Sequence, residues 1–233
     1  MEINIPIKKI ILSYLFVVIL LTFFSIAGQI YIYYFGGHSR YLVHIFNLDE
    51  EYNIPSCFES GTLLFCSVLL FIIGLNKKKS NDKFHFHWSL LAVIFFLMSL
   101  DELMSFHENL SEYVRAIFHT GGFLYFAWVL PAMIFLILLA FIYFKFVFAL
   151  PAKYRNLFII GGVIYVVGAM GFEMLGGDIR KFYTEKSFNY AVLTNIEEVF
   201  EMTGILIFTY ALLDYIKVNI GEFKAKVIGY KQK

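Results

Sequence analysis

The sequence predicts an all-α membrane protein, a polytopic bundle of six transmembrane helices. Of its 233 residues, 60% are hydrophobic and only 16% are charged, a balance far outside that of a soluble domain. The mean hydropathy of +0.72 agrees with this class. Apolar runs recur along the chain, most of them close to the length of about 20 residues that spans a bilayer. We therefore expect a single integral membrane domain over residues 1–233.

The spans follow from these apolar runs and from the polar segments between them. The first run begins after Lys9 and continues through Tyr33, so we interpret it as a span and not as a cleavable leader. The second run ends at a group of lysines, and Pro131 should bend the fourth. The predicted spans cover about residues 10–35, 59–75, 84–104, 122–150, 156–175 and 189–216.

The loop between the first two spans is polar and holds three adjacent acids, Asp49, Glu50 and Glu51, followed by Pro55. Such a group is able to hold a calcium ion, although its spacing does not match an EF-hand loop. We favour a solvated acidic turn over residues 47–55, with calcium binding as the open alternative.

A segment of different character, about residues 105–120, follows the third span. Its apolar residues recur at helical spacing, from Phe106 to Ile117, and its charged residues recur at the same spacing on another face. This pattern predicts an amphipathic helix that lies on the outer surface of the membrane.

Span five is rich in glycine, and its small residues form a stripe. Gly162, Ala169, Glu173 and Gly176 share one face of a regular helix. Because small residues let membrane helices approach closely, we expect span five at the centre of the bundle, packed along this stripe.

Lysine and arginine are distributed unevenly over the predicted loops. Fourteen of these 19 residues fall in segments that six spans place on the same side as both chain ends. By the positive-inside rule both termini are cytoplasmic, in a cell membrane. The net charge of +1 hides this asymmetry and argues neither for nor against a nucleic-acid partner. No basic run with interleaved aromatic residues suggests a nucleic-acid groove, so no such partner is expected. The expected partner is the lipid bilayer, and a homo-oligomer or a membrane partner protein stays open.

Acidic residues inside the spans are the strongest functional signal. An ionisable side chain in a bilayer costs at least about 2.5 kcal/mol, so it needs partners or a water-filled cavity. The topology places acids of spans three, five and six in the same, outer part of the membrane, and His107 nearby offers a metal ligand and a base. The predicted cation or proton site comprises Asp101, Glu102, His107, Glu173, Glu197 and Glu201, with Glu198 and Glu108 secondary.

An alternative interpretation concerns the acids nearest the surface. Asp101, Glu102 and Glu173 lie close to predicted span ends, where they also fit a purely interfacial role. Glu197 and Glu201 lie deeper, so this alternative explains them less well. No catalytic residue follows from the sequence.

Three functions are compatible with such a site. The first is cation or proton binding in transport or sensing, because buried carboxyl groups exchange protons or hold a cation. The second is a membrane-embedded, metal-dependent enzyme acting on a lipid or isoprenoid, with a divalent ion as cofactor. The third is a non-catalytic subunit or regulator of a partner protein.

The two cysteines indicate neither a zinc knuckle nor a redox pair, since no CxxC or cysteine–histidine spacing is present. The topology instead places Cys57 outside the cytoplasm and Cys66 inside the second span. These positions make the cysteines useful probes of the orientation.

Two motifs carry a resemblance to known sequences. The first is Phe46-Asn47-Leu48-Asp49 followed by Asn53-Ile54-Pro55; the second is Ser99-Leu100-Asp101-Glu102 followed by His107-Glu108. Together with the paired glutamates of span six, they resemble patterns in bacterial multi-pass inner-membrane proteins of no assigned function. The resemblance implies a six-span bacterial inner-membrane protein and supplies no activity.

Overall fold

A computed structural model describes residues 6–36, 40–180 and 187–220 of the chain. These residues form helices and no strand. Six of the helices are long and apolar enough to cross a bilayer, which confirms the predicted all-α, six-span fold. The helices are α1 (Ile7–Phe35), α2 (Arg40–Phe46), α3 (Ile54–Lys79), α4 (His85–Met104), α5 (Phe106–Phe118), α6 (Val129–Ala149), α7 (Ala152–Ile179) and α8 (Phe188–Ile220), of which α2 and α5 are the short ones.

Helix α8 occupies the centre of the bundle and packs against α1, α3 and α7. Its side chains Met202, Ile205 and Leu212 are at most 1% exposed. By contrast, α6 exposes most of its apolar side chains, among them Phe141, as expected for contact with lipid. The central position of α8 places its glutamates inside the bundle.

Helix α3 begins at Ile54, earlier than the predicted start near residue 59. The Asn53 side chain accepts a hydrogen bond from the Ser56 N–H at 3.1 Å, while the Ser56 Oγ accepts one from the Asn53 N–H at 3.0 Å. This reciprocal cap starts the helix, and Pro55 lies in its first turn, where the missing N–H costs nothing. Glu59, which the predicted boundaries place at the edge of the span, is therefore a helical and buried residue.

Helices α3 and α4 pack through small residues that recur every seven positions on α3, namely Ser60, Ser67 and Gly74. The Ser60 and Ser99 hydroxyls each donate to the other residue's backbone carbonyl, at 2.7 and 2.9 Å. The Ser67 hydroxyl donates to the Ala92 carbonyl at 2.7 Å. These bonds hold the N-terminal half of α3 against the end of α4, where two acids of the predicted site lie.

Helices α7 and α8 also approach closely, but not along the predicted stripe. A Cβ at Gly161 would lie 3.1 Å from the Gly204 carbonyl oxygen, and one at Gly168 would lie 3.0 Å from the Glu197 carbonyl oxygen. At Gly162 the nearest atom would be 3.9 Å away, so the prediction of close packing there is wrong.

The predicted stripe lies on the wrong face at Gly162, because Gly161 and Gly168, seven residues apart, are the glycines that pack on α8. A π-helical segment, Val167–Phe172, comes later in α7 and affects the position of Glu173. A π turn contains more residues than an α turn and shifts the register of everything that follows. The predicted stripe assumed a regular helix, in which Glu173 shares a face with Ala169 and Gly162. The π segment lies between Gly162 and Glu173, so the two do not share a face as a regular helix would have them do.

The predicted surface helix over residues 105–120 corresponds to α5. It leaves α4 at Ser105, whose φ of 50° is in the left-handed region and whose N–H donates to the Asp101 carbonyl at 2.8 Å. The apolar side chains Tyr113 and Ile117 are 74% and 67% exposed. The sharp turn brings the polar face of α5 back over the end of α4.

Candidate functional site

A cavity of about 420 Å³ lies at the end of the bundle, between α5, the loop before α3, the end of α4 and the adjoining parts of α7 and α8. Every residue of the predicted site is among those that line this cavity. Eleven of the lining residues are acidic: Asp49, Glu50, Glu51, Asp101, Glu102, Glu108, Glu112, Glu173, Glu197, Glu198 and Glu201. Four of them, Asp49, Glu50, Glu108 and Glu112, are solvent-exposed, so the cavity opens to the aqueous phase at this end.

The mouth of the cavity holds a group able to bind a metal ion, Glu51, His107 and Glu108, which we call the mouth group. One ligand atom from each of the three lies within 4.8 Å of the others. The Nε2 atom of His107 is 3.9 Å from Oε1 of Glu51. Two carboxyl groups and an imidazole form a common ligand set for divalent transition metals.

Asp101 fixes the orientation of His107. Its Oδ2 accepts from the His107 Nδ1 at 2.9 Å, and its Oδ1 accepts from the His107 backbone N–H at 3.0 Å. A ring nitrogen held by a carboxylate sets the tautomer and leaves the other nitrogen for a ligand. The Nε2 atom is thereby directed towards Glu51.

The two half-buried members of the mouth group, His107 and Glu51, have shifted pKa values. Burial lowers the pKa of His107, but the hydrogen bond and charge of Asp101 outweigh this effect and raise it to about 9. Burial also raises the pKa of Glu51 to about 7, against the opposing charge of His107. A metal ion binding at Nε2 therefore has to displace a proton at neutral pH.

Glu51 was not among the predicted site residues, because the sequence favours a solvated turn for residues 47–55. In the structure its Oε2 atom is buried and has no hydrogen-bond partner among the described residues. Leaving such an atom unsatisfied costs about 1–3 kcal/mol, so the position favours a bound ligand.

The rest of that turn is held by hydrogen bonds. The Asn53 side-chain amide donates to the carbonyl oxygens of Asn47 and Glu50 at 2.7 and 2.6 Å. Gln29 of α1 donates to the Asn47 Oδ1 at 2.8 Å. Backbone carbonyls that a calcium ion needs as ligands are thus engaged within the turn.

Glu173 and Glu197 form the next layer of the cavity. Their carboxyl groups lie within hydrogen-bonding reach of each other. The indole N–H of Trp128 donates to Oε1 of Glu173 at 3.4 Å, and its ring centroid lies 5.3 Å from that of His107. Trp128 therefore contacts both Glu173 and His107.

Deeper in the bundle, three helices bring four carboxyl groups together. Glu59 of α3 lies within hydrogen-bonding reach of Glu198 on α8, and Glu102 and Glu201 are its other acidic neighbours. Glu59 is not among the predicted site residues, because the predicted start of α3 lies too late in the chain. The signal that identifies it is the cap residue Asn53 followed by Pro55, which marks a helix start.

Two arginines also line the cavity. The guanidinium groups of Arg115 and Arg180 lie 4.4 and 3.9 Å from the ring centroid of Tyr125. Arg115 also donates to the Tyr125 carbonyl at 3.3 Å. The eleven acids outnumber these two arginines and His107, so the cavity as a whole favours positively charged ligands.

Comparison with known proteins gives one result for the chain. Residues 11–215 match the family described as "Domain of unknown function (DUF8692)". No curated protein and no solved structure matches the chain. The resemblance to a family of no assigned function is confirmed to that extent, while the bacterial origin and the inner membrane remain predictions. The chain, a six-span helical membrane protein, belongs to the DUF8692 family.

Proposed function

We propose that the protein binds a divalent transition-metal ion at the mouth group, Glu51, His107 and Glu108, in a transport or sensing role. The observation that carries this proposal is the orientation of His107 by Asp101, which directs Nε2 towards Glu51. Metal-binding histidines in proteins usually have their other ring nitrogen held in this way.

The ligand chemistry narrows the choice of metal. Calcium and magnesium prefer oxygen ligands alone, whereas imidazole with carboxylates suits zinc, iron and manganese. The mouth group supplies three protein ligands, which leaves coordination positions for water or for a group that the ion meets deeper in the cavity.

A role in transport or sensing is supported by what lies behind the mouth group. The same cavity is lined by exposed acids at its mouth and, behind them, by Glu173, Glu197, Glu102, Glu198 and Glu201. Intramembrane acids in such a series are typical of cation and proton pathways.

The metal proposal is tested with purified, full-length protein and Mn²⁺. Metal analysis counts the bound ions. Electron spin-echo envelope modulation (ESEEM) from nitrogen-14 shows whether a histidine is bound to Mn²⁺. The wild type should show this modulation, and His107→Ala should lose it together with one equivalent of Mn²⁺. His119→Asn is the matched control, because His119 lies at the other end of α5, outside the cavity, and asparagine tolerates its φ of 50°. Nitrogen modulation that persists in His107→Ala would refute the proposal.

A membrane-embedded, metal-dependent enzyme is the second candidate. Its supporting observation is the cavity of about 420 Å³, which falls within the usual range of ligand pockets, beside a metal group with open coordination positions. The expected substrate is a lipid or isoprenoid. Mass spectrometry of lipid vesicles incubated with Mn²⁺-loaded protein should then show a product that His107→Ala does not form.

We further propose that the mouth of the cavity faces away from the cytoplasm, with both termini cytoplasmic. Cys57 is exposed in the first turn of α3, at the same end as the mouth, whereas Cys66 is fully buried. A membrane-impermeant maleimide applied to intact cells should label the protein at Cys57, and Cys57→Ser should abolish the labelling. Labelling that appears only after lysis would place the cavity on the cytoplasmic side.

A further inference from the structure

The second place in the molecule where ligand-binding groups converge is the inner cluster, defined as Glu59, Glu102, Glu198 and Glu201. These residues come from three different spans, α3, α4 and α8. We propose that the inner cluster is a second binding site, for a hard divalent cation. The inference deepens the proposed function, since both depend on a cavity that admits divalent ions, but the two sites can be tested separately.

Glu59 provides the observation that points to a ligand. Its side chain is 2% exposed, and its Oε1 atom is buried without a hydrogen-bond partner among the described residues. The carboxyl group is directed at the cluster, since its acidic neighbours are Glu198, Glu102 and Glu201. A buried, unsatisfied carboxylate oxygen costs more than a neutral group does, and a cation removes this cost.

No salt bridge compensates the charge of the cluster in the described part of the chain, and His107 acts on Glu102 and Glu201 only from a distance. Within residues 6–36, 40–180 and 187–220, none of the four carboxyl groups takes part in an ion pair. Tyr165 of α7 lies beside Glu201 and adds a further oxygen. Carboxylates in a membrane interior need a counter-charge, and here the space for one is the cavity that Glu102, Glu198 and Glu201 line.

The composition of the cluster identifies the class of cation. Its side chains offer oxygen atoms and no nitrogen or sulfur, which suits Mg²⁺, Ca²⁺ and Mn²⁺. Of these ions, Mn²⁺ also accepts an imidazole with carboxylates, as at the mouth group. A single type of ion is therefore acceptable at both sites.

Binding requires a rearrangement of side chains. In the described part of the chain, the mouth group is the set of three ligands whose atoms already lie within 4.8 Å of one another. The inner carboxyl groups approach an ion by rotating their side chains into the cavity. A glutamate side chain has several rotamers through which it can do so. A Cβ added at Gly168 would lie 2.9 Å from the Glu201 Cγ, so α7 passes close to the base of the Glu201 side chain.

The experiment counts Mn²⁺ ions bound to the full-length protein in detergent or nanodiscs and records which of them carry nitrogen-14 modulation. The wild type should bind two ions, one with the modulation and one without. Glu59→Gln should lose the ion without modulation and keep the other, and His107→Ala should do the reverse. Asp82→Asn is the control, because Asp82 lies at the opposite end of the bundle and outside the cavity.

The outcomes separate the two sites. One ion with nitrogen modulation in the wild type would refute the inner site and leave the mouth site intact. One ion without modulation, lost in Glu59→Gln, would support the inner site and refute the mouth site, and no bound ion would refute both. If Glu59→Gln does not elute as a folded species, Glu198→Gln takes its place, and retention of two ions in that variant would refute the inner site.

Discussion

Replacement of Gly204 by alanine should destabilise the protein by about 3 kcal/mol or more, although alanine is the better helix former by about 1 kcal/mol. The added Cβ would lie 2.7 Å from the Tyr165 Cβ and 2.8 Å from both the Gly161 carbonyl oxygen and the Tyr165 backbone nitrogen. Two of these atoms belong to the backbone, so a change of rotamer gives no relief and α7 must move away from α8. Thermal unfolding in detergent, followed by size-exclusion chromatography, measures the loss.

Gly162→Ala is the matched control, since it makes the same change on the helix that faces Gly204. The nearest atom to its added Cβ is 3.9 Å away, which is ordinary van der Waals contact. This variant should be neutral or slightly more stable, because the helix propensity then acts alone. Equal melting temperatures for the two variants would show that α7 and α8 do not approach each other as described.

Asp101→Asn should weaken Mn²⁺ binding at the mouth group by about 10–100-fold while leaving its ligands in place. Asp101 accepts two hydrogen bonds from His107, one at each oxygen. Asparagine has a single side-chain oxygen, so its amide group would face one of the two N–H donors, and the imidazole would lose its fixed orientation. Titration with Mn²⁺ measures the affinity.

A purely structural role for Asp101 is separated from a positioning role by further measurements. If Asp101 only positions His107, the Asp101→Asn variant keeps a melting temperature close to that of the wild type. It also keeps its nitrogen-14 modulation once the site is saturated with Mn²⁺. Asp82→Asn, which removes a carboxylate at the other end of the bundle, should leave the affinity unchanged. Wild-type affinity in Asp101→Asn would mean that Asp101 does not position His107.

The fold follows closely from the sequence because a bilayer imposes a simple requirement on it. Each span has to satisfy its own backbone hydrogen bonds and present apolar side chains to lipid, so length and hydropathy identify the helices. The amphipathic pattern of residues 105–120 identifies α5 in the same way. Helix ends are set by local contacts instead, and α3 starts where Asn53 and Ser56 form a reciprocal cap.

The convergence of the acids also follows from the sequence, since topology alone gives their depth. What topology does not give is the role of each carboxyl group. Asp101 engages His107 because Ser105 adopts a left-handed conformation that folds α5 back over α4, and a preference of this kind is weak in the sequence. The register of α7 after Val167–Phe172 is likewise not predicted, because the sequence of this segment contains no signal for a π turn.

The surplus of carboxyl groups in the cavity has a kinetic consequence. Charges of one sign, collected in a cleft with low-dielectric walls, focus the electric field and raise the local concentration of ions of the opposite sign, speeding association by about 10–1,000-fold. Capture of a cation should therefore slow steeply as ionic strength rises, through screening of Asp49, Glu50, Glu108 and Glu112 at the entrance. The same field repels anions, so the metal enters as a hydrated cation and not as an anionic complex with citrate or phosphate.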